Sequence, residues 1–252
     1  MSTGRIYLVA SGKGGTGKTS VTAGLGAALA ARGLQVLCLD CDLGMRNLDL
    51  VLGLTAETAL DFFDVILRGA PLDAALVAHP LLPSLFLLNG PALPPEKLPD
   101  RDALQRFAGQ LRERFDVILA DAPAGVGTGF TLAGSLADEA LLVTTPDPPA
   151  FRDAALTARL LRQQGISFRL ILNRVQPRAI RRGDAADLDS VMDHVGASLL
   201  GVIPEDPRVR AAGNRGTVLP GRASAAHAFV NIAARLCGQS VPLMRLRGGG
   251  LR

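Results

Sequence analysis

Residues 12–19 read Gly-Lys-Gly-Gly-Thr-Gly-Lys-Thr, with an apolar run at 5–11 before them and a helix-forming run at 20–32 after them. A segment this rich in glycine sustains neither a strand nor a helix. It is a tight turn that hands a strand to a helix, and a chain built around such a junction is confined to folds in which strands and helices alternate.

Further apolar runs stand at 35–39, 85–89, 117–121, 140–145, 169–173 and 199–203. They are near-continuous rather than alternating, as strands are when helices cover both faces of a parallel sheet. Helical stretches at 101–114, 152–164 and 223–236 lie between or after them. The expectation is an α/β fold with a doubly wound, mostly parallel sheet flanked by helices. Ligands in such sheets bind at the carboxyl ends of the strands, so the loops there are where function is sought. There is no internal repeat, and the proline-rich stretch 91–99 reads as a loop. One domain is expected over 1–242, with a short basic tail at 243–252.

Hydrophobic residues make up 48% of the 252 and charged residues 20%, enough apolar material for a large core. No apolar run reaches the ~18 residues of a spanning helix. The apolar stretch 6–10 is too short for a signal peptide. With only three cysteines, Cys38, Cys41 and Cys237, the expectation is a cytosolic protein. Charge is uneven. Residues 1–150 carry 11 Lys+Arg against 16 Asp+Glu, and residues 151–252 carry 16 against 7. A basic half can meet an anionic partner, membrane or nucleic acid, or can simply be solvated.

The turn itself matches G-x-x-x-x-G-K-[ST]. Its glycines let backbone N–H groups of Gly12, Gly14, Gly15, Thr16 and Gly17 face inward as an anion nest at the helix N-terminus, with Ser20 just beyond. Lys18 brings a point charge for β- and γ-phosphates, and the Thr19 hydroxyl suits Mg²⁺. The same glycines also spell G-x-G-x-x-G, with Asp40 ending the next strand as in a dinucleotide fold. Such a loop has no use for Lys18 and Thr19. The chain uses Arg 24 times and Lys three times, yet two of those lysines stand in this turn. A compact ammonium suits a crowded phosphate cradle better than a planar guanidinium.

Two acidic segments extend the motif. The apolar strand 117–121 ends in Asp121, which would organise a magnesium shell, and 122–125 would be a mobile loop near the γ-phosphate. Asp40 and Asp42, two positions apart, can serve the metal and the attacking water; a helix N-cap is the plainer alternative. Cys38-Leu-Asp-Cys41 is a C-x-x-C with no second pair, better read as small core residues than as a metal or redox site. His79, His194 and His227 have no ligand spacing.

Taken together, Lys13 after the first glycine, 40–50 (Asp-Cys-Asp-Leu-Gly-Met-Arg-Asn-Leu-Asp-Leu), 121–125 (Asp-Ala-Pro-Ala-Gly), 137–140 and 201–206 (Gly-Val-Ile-Pro-Glu-Asp) resemble the deviant Walker A ATPases. That family includes the MinD, ParA, nitrogenase-iron-protein and arsenite-pump branches. The similarity runs from about residue 6 to 243 and is closest to the MinD branch. It implies an ATPase that binds ATP/ADP with Mg²⁺ and forms a homodimer when ATP is bound. It implies association with an anionic membrane surface at the cytoplasmic face of the inner membrane, a division-inhibitor partner and an activator. It also implies roles: Lys13 reaches the partner subunit's phosphates, Asp42 orients the water, Asp40 and Asp121 serve the metal shell, and Asn173, Arg174 and the backbone near Pro204 read adenine.

Two segments depart from that pattern. Val126-Gly127 stands where a Glu is usual. The tail 243–252 contains three successive glycines where a membrane-targeting helix is usual, and glycines do not sustain a helix. A ParA-like DNA-binding ATPase, suggested by Arg178, Arg181 and Arg182, and a MinD-like flagellar-number regulator are the alternatives.

Overall fold

The computed structural model of the chain describes residues 4–44, 46–54, 60–93 and 96–244. In chain order the elements are β1 (Arg5–Ala10), α1 (Lys18–Ala30), β2 (Val36–Asp40), α2 (Leu48–Leu52), α3 (Phe62–Arg68), α4 (Leu72–Ala75), β3 (Leu76–His79), β4 (Leu82–Leu88), α5 (Arg101–Arg114) and β5 (Val117–Asp121). There follow α6 (Thr128–Leu136), β6 (Glu139–Thr144), α7 (Pro148–Gln163), β7 (Phe168–Val175), α8 (Pro177–Arg182), α9 (Leu188–Val195), β8 (Leu199–Pro204), α10 (Pro207–Asn214) and α11 (Ser224–Leu236).

The strands form one sheet in the order β3-β4-β2-β5-β1-β6-β7-β8. All neighbours are parallel except β3, which runs antiparallel to β4 at the edge. Successive side chains of a strand point to opposite faces, and both faces are apolar here. Ile6, Leu8 and Ala10 enter one core with Phe62, Phe107, Phe130 and Leu161 from α3, α5, α6 and α7. Tyr7 and Val9 enter the other with Val21, Leu25 and Leu29 of α1 and Phe229 and Ile232 of α11. This two-sided burial is why the strands read as continuous apolar runs.

Chain connections diverge at β1, which pairs with β5 on one side and β6 on the other. A crevice opens beyond its carboxyl end, where such folds bind ligands, and the glycine turn lies in it. α1 sits unusually close to its neighbours. A Cβ at Gly24 would stand 2.4 Å from the Phe229 ring, and one at Gly26 would stand 2.7 Å from Cys38 Sγ. Cys38 and Cys41 are both buried and free, small core residues as expected, Cys38 under α1 and Cys41 in the core on the other face of the sheet.

The structure adjusts several boundaries. α1 begins at Lys18, two residues earlier than the apolar pattern suggests, because Gly17 at φ 85° supplies a left-handed entry. β3 went unrecognised: it is four residues long, antiparallel, and embedded in a segment whose composition reads as helical. β7 does not stop at Asn173 but continues to Val175, with its pairing to β8 broken between Leu172 and Val175. No helix among the described residues is long and apolar enough to cross a membrane.

Candidate functional site

The turn 12–17 is held from three sides. Gly17 lacks a Cβ out of necessity twice over: its φ is positive, and a Cβ there would stand 2.4 Å from Asn173 Nδ2. Gly12 packs on α7, where a Cβ would fall 2.3 Å from the Asp153 carbonyl. Ser11 and Thr16 donate their hydroxyls to the Lys13 carbonyl at 3.1 and 3.5 Å. Asn173 Nδ2 donates to the Thr16 carbonyl at 2.8 Å, tying the turn to β7.

Lys18 and Lys13 have opposite surroundings. The Lys18 ammonium is 8% exposed and lies 2.8 Å from Asp121 Oδ1. Asp121 also accepts from the Thr19 hydroxyl (2.8 Å) and the Thr22 hydroxyl (2.8 Å). The turn's lysine and hydroxyl are thereby gathered on the acid at the end of β5. Lys13 is exposed, and its ammonium has no ion pair among the described residues.

Asp40 lies beside Asp121 in the sheet register. Its Oδ1 accepts the Asp42 N–H at 2.9 Å, and its Oδ2 accepts the N–H groups of Asn47 (3.3 Å) and Leu48 (3.2 Å). It therefore anchors the start of α2 as a remote cap, in addition to any role toward metal. Burial pushes its carboxyl up to about 6 against those N–H donors, with the charge of Asp121 adding to the rise. Asp42 is partly exposed at the mouth of the site. Burial raises its carboxyl, Lys18 opposes the rise, and Asp121 reinforces it. Thr19 and Asp121 share a hydrogen bond of 2.8 Å beside the turn, and Asp40 is the register neighbour of Asp121, oxygen donors of the kind that suit Mg²⁺ with phosphate and water completing the shell. Among the described residues no group of three or more His, Cys, Asp and Glu could hold a metal by itself.

A cleft of about 630 Å³ runs from the turn across the ends of β7 and β8. Gly15, Gly17, Thr19 and Ser20 form one end; Asn173, Arg174, Pro204 and Glu205 form the other, with Val209 and Gly213 of α10 as a wall. The structure thus brings Asn173, Arg174 and Pro204 together as the sequence expects. Asn173 is more occupied than expected, because its Oδ1 also accepts the Arg174 N–H at 2.9 Å. Arg178, Arg181 and Arg182 lie on α8, outside the cleft, with Arg182 paired to Asp184 at 2.7 Å.

Three residues had no individual role in the sequence reading. Thr22 shares Asp121 with Lys18, and its signal was its place one helical turn after that lysine. Asp206 is buried and starts α10. It accepts from Arg208 Nε at 2.8 Å and from the Ser224 hydroxyl at 2.9 Å, and the Arg208 guanidinium holds its carboxyl well below the usual range. Glu205, which pairs with Arg174 at 2.8 Å, lay within the recognised segment 201–206 but was given no role of its own.

The comparisons agree with this geometry. The family described as CobQ/CobB/MinD/ParA nucleotide binding domain matches residues 7–219. The septum site-determining protein MinD of Synechocystis is 38% identical over 95% of this chain and 92% of its own length. The MinC:MinD cell division protein complex of Aquifex aeolicus superposes with a TM-score of 0.88 at 35% identity, over 96% of this chain and 98% of the other. The Pyrococcus horikoshii septum site-determining protein MinD, complexed with Mg-ADP, gives 0.79 at 32% identity over 92% and 95%. With relatives this similar along nearly its full length, and with the turn, the strand-end acids and the cleft in one place, the chain belongs to the MinD/ParA family of nucleotide-binding proteins and to its MinD branch.

Proposed function

We propose that this chain is a Mg-ATP-dependent ATPase that works as a dimerisation switch in placing the division septum. The observation that carries the switch is the contrast between the two lysines of one turn. Lys18 is buried on Asp121, while Lys13 is exposed and without an ion pair among the described residues. Lys18 serves the nucleotide of its own subunit, and Lys13 is free to serve another. Val126 and Leu50 are exposed by 50% and 54%, apolar surface that a second copy would cover.

Binding begins with the N–H groups of the turn and with Lys18, which leaves Asp121 for the phosphates. Thr19 and Asp121, with Asp40 in the surrounding shell, would hold magnesium, which would supply positive charge to the phosphate oxygens. Asp42, half-buried at the mouth, orients the attacking water through its carboxylate. Asn173 holds the turn and, with Arg174 and Pro204, forms the base end of the cleft.

The Aquifex relative is solved with MinC, so a MinC-type division inhibitor is the proposed partner, with an activator of hydrolysis beside it. The proposed location is the cytoplasmic face of the inner membrane. The basic tail residues Arg245, Arg247 and Arg252 lie outside the described residues. At about 1 kcal/mol each they contribute about 3 kcal/mol, weaker than millimolar. One tail does not hold a monomer on a membrane; two in an ATP dimer act at high effective concentration.

Cosedimentation with anionic vesicles and with nonspecific DNA, in ATP and in ADP, tests this. Salt-sensitive vesicle binding in ATP alone is expected. Strong vesicle binding in ADP defeats the two-tail account, and ATP-dependent retention by DNA instead of vesicles favours a ParA-like activity.

A further inference from the structure

Val209 and Gly213 of α10 line the nucleotide cleft and also a second hollow. This one is a cavity of about 230 Å³ bounded by α1, α2, α10, α11 and the start of β4, with the loop 217–221 across it. Its origin is visible in the sequence. Ala23, Gly24, Ala27 and Ala31 share one face of α1 and its cap, and their side chains are too short to fill the space up to the loop. Leu52, Leu85 and Phe229 complete an apolar wall. Val218 and Val230 line the cavity and are also exposed to solvent, so it can be reached from outside.

No Lys, Arg, Asp or Glu lines this cavity, so nothing in its wall would hold an ion. Of its polar side chains, Thr217 donates its hydroxyl to the Ala212 carbonyl at 3.5 Å, and Ser20 also faces the nucleotide cleft. His79 is different. It is 5% exposed. Its Nδ1 accepts the Leu81 N–H at 3.1 Å, which puts the proton of the neutral ring on Nε2. Burial lowers the imidazole and so favours that neutral form. The Nε2–H meets no acceptor among the described residues. A donor left unpaired in an apolar wall is unfavourable, and an acceptor brought in by a ligand removes the penalty. Apolar walls with one directing polar group are the usual make-up of a small-molecule site.

We propose that this cavity binds a small neutral molecule with an apolar body and one carbonyl oxygen, the oxygen accepting from His79 Nε2–H and the body lying against α1 and Phe229. An apolar cavity of ~150 Å³ admits benzene, so this larger one has room for a ring with a short chain. A mere packing gap would offer the same walls but show no preference for a carbonyl.

The test is a ligand-detected NMR titration with butyrophenone and with butylbenzene, which has the same ring and chain length but no acceptor. Wild type should bind the ketone about fivefold or more tightly than the hydrocarbon. His79→Phe keeps a ring and removes the N–H, and should abolish that preference. Ala27→Leu keeps His79 but narrows the cavity, and should weaken both probes; it serves alone if His79→Phe fails to fold. Both probes should still bind with Mg-ADP present. Equal affinities in wild type, or a preference that survives His79→Phe, overturn the proposal. Ketone binding untouched by Ala27→Leu, ketone displaced by Mg-ADP, or no ketone binding up to its solubility overturns it as well.

Discussion

Lys18 Nζ rests 2.8 Å from Asp121 Oδ1, both side chains buried, so the lysine proposed for phosphate is neutralised by the acid proposed for metal. Removing one member of a buried pair leaves the other uncompensated, at a cost of about 3–5 kcal/mol. Asp121→Ala should therefore destabilise the nucleotide-free protein by about that much in urea unfolding. Phosphates would then meet a lysine with nothing to give up. The thermal shift produced by ADP without magnesium should be larger in the variant than in wild type, and an equal shift in both would mean Lys18 does not exchange partners on binding.

How much of this was readable beforehand follows from how local each signal is. Gly12 to Thr19 is a contiguous motif between two recognisable elements, and Asp121 ends a strand whose five residues are all buried. Asn173 was placed correctly in the cleft, but its bond to the Thr16 carbonyl joins residues far apart in sequence, and no spacing rule reports it. Asp40 was seen as metal ligand or cap as alternatives; its three backbone donors lie on a loop whose path only the fold determines. β3 had neither length nor alternation to declare itself.

Asp42 is the acid with freedom to act. It is partly exposed, and no hydrogen bond ties its side chain to the described residues. Asp42→Ala should leave ATP affinity nearly unchanged and lower turnover by at least about 10²-fold, the range for a positioned acid–base group. Titration and single-turnover hydrolysis measure the two separately. Loss of ATP affinity would reassign Asp42 to the metal or to the fold.

Asp206 gives a pH signature. Arg208, the Ser224 hydroxyl and backbone N–H groups hold its carboxyl below the usual range. A depressed carboxyl contributes stability that is fully present above its unfolded value, about 3.9, and is lost as pH falls through the folded value. Arg208 is half exposed, so solvent screening trims the effect. Asp206→Asn should cost about 1–3 kcal/mol at neutral pH. In urea unfolding the gap to wild type should stay constant from pH 7 down to about 4.5, then narrow in more acid solution. A gap that widens with acid would contradict the assigned sign.

Lys13 is the test of the proposed dimer. A second ammonium on the turn beside Lys18 is repulsive unless an anion neutralises both. Lys18 has its anion in Asp121, whereas Lys13 stands in solvent with no ion pair among the described residues. The proposed role in trans would explain its presence: Lys13 of one subunit would meet the phosphates of the other, and the triphosphate would join the two copies. Charge supplied in trans is worth about 10³–10⁵ in rate in analogous enzymes. Lys13→Ala should keep nucleotide affinity and lose the dimer, while Lys18→Ala should lose nucleotide outright. Light scattering with ATP, in an Asp42→Ala background that blocks turnover, separates these effects. Dimer mass with Lys13 present and monomer mass in its absence is the expected pair of results. An ATP-dependent dimer that survives Lys13→Ala would leave that lysine a solvated loop residue and return the source of dimerisation to exposed apolar residues such as Val126 and Leu50.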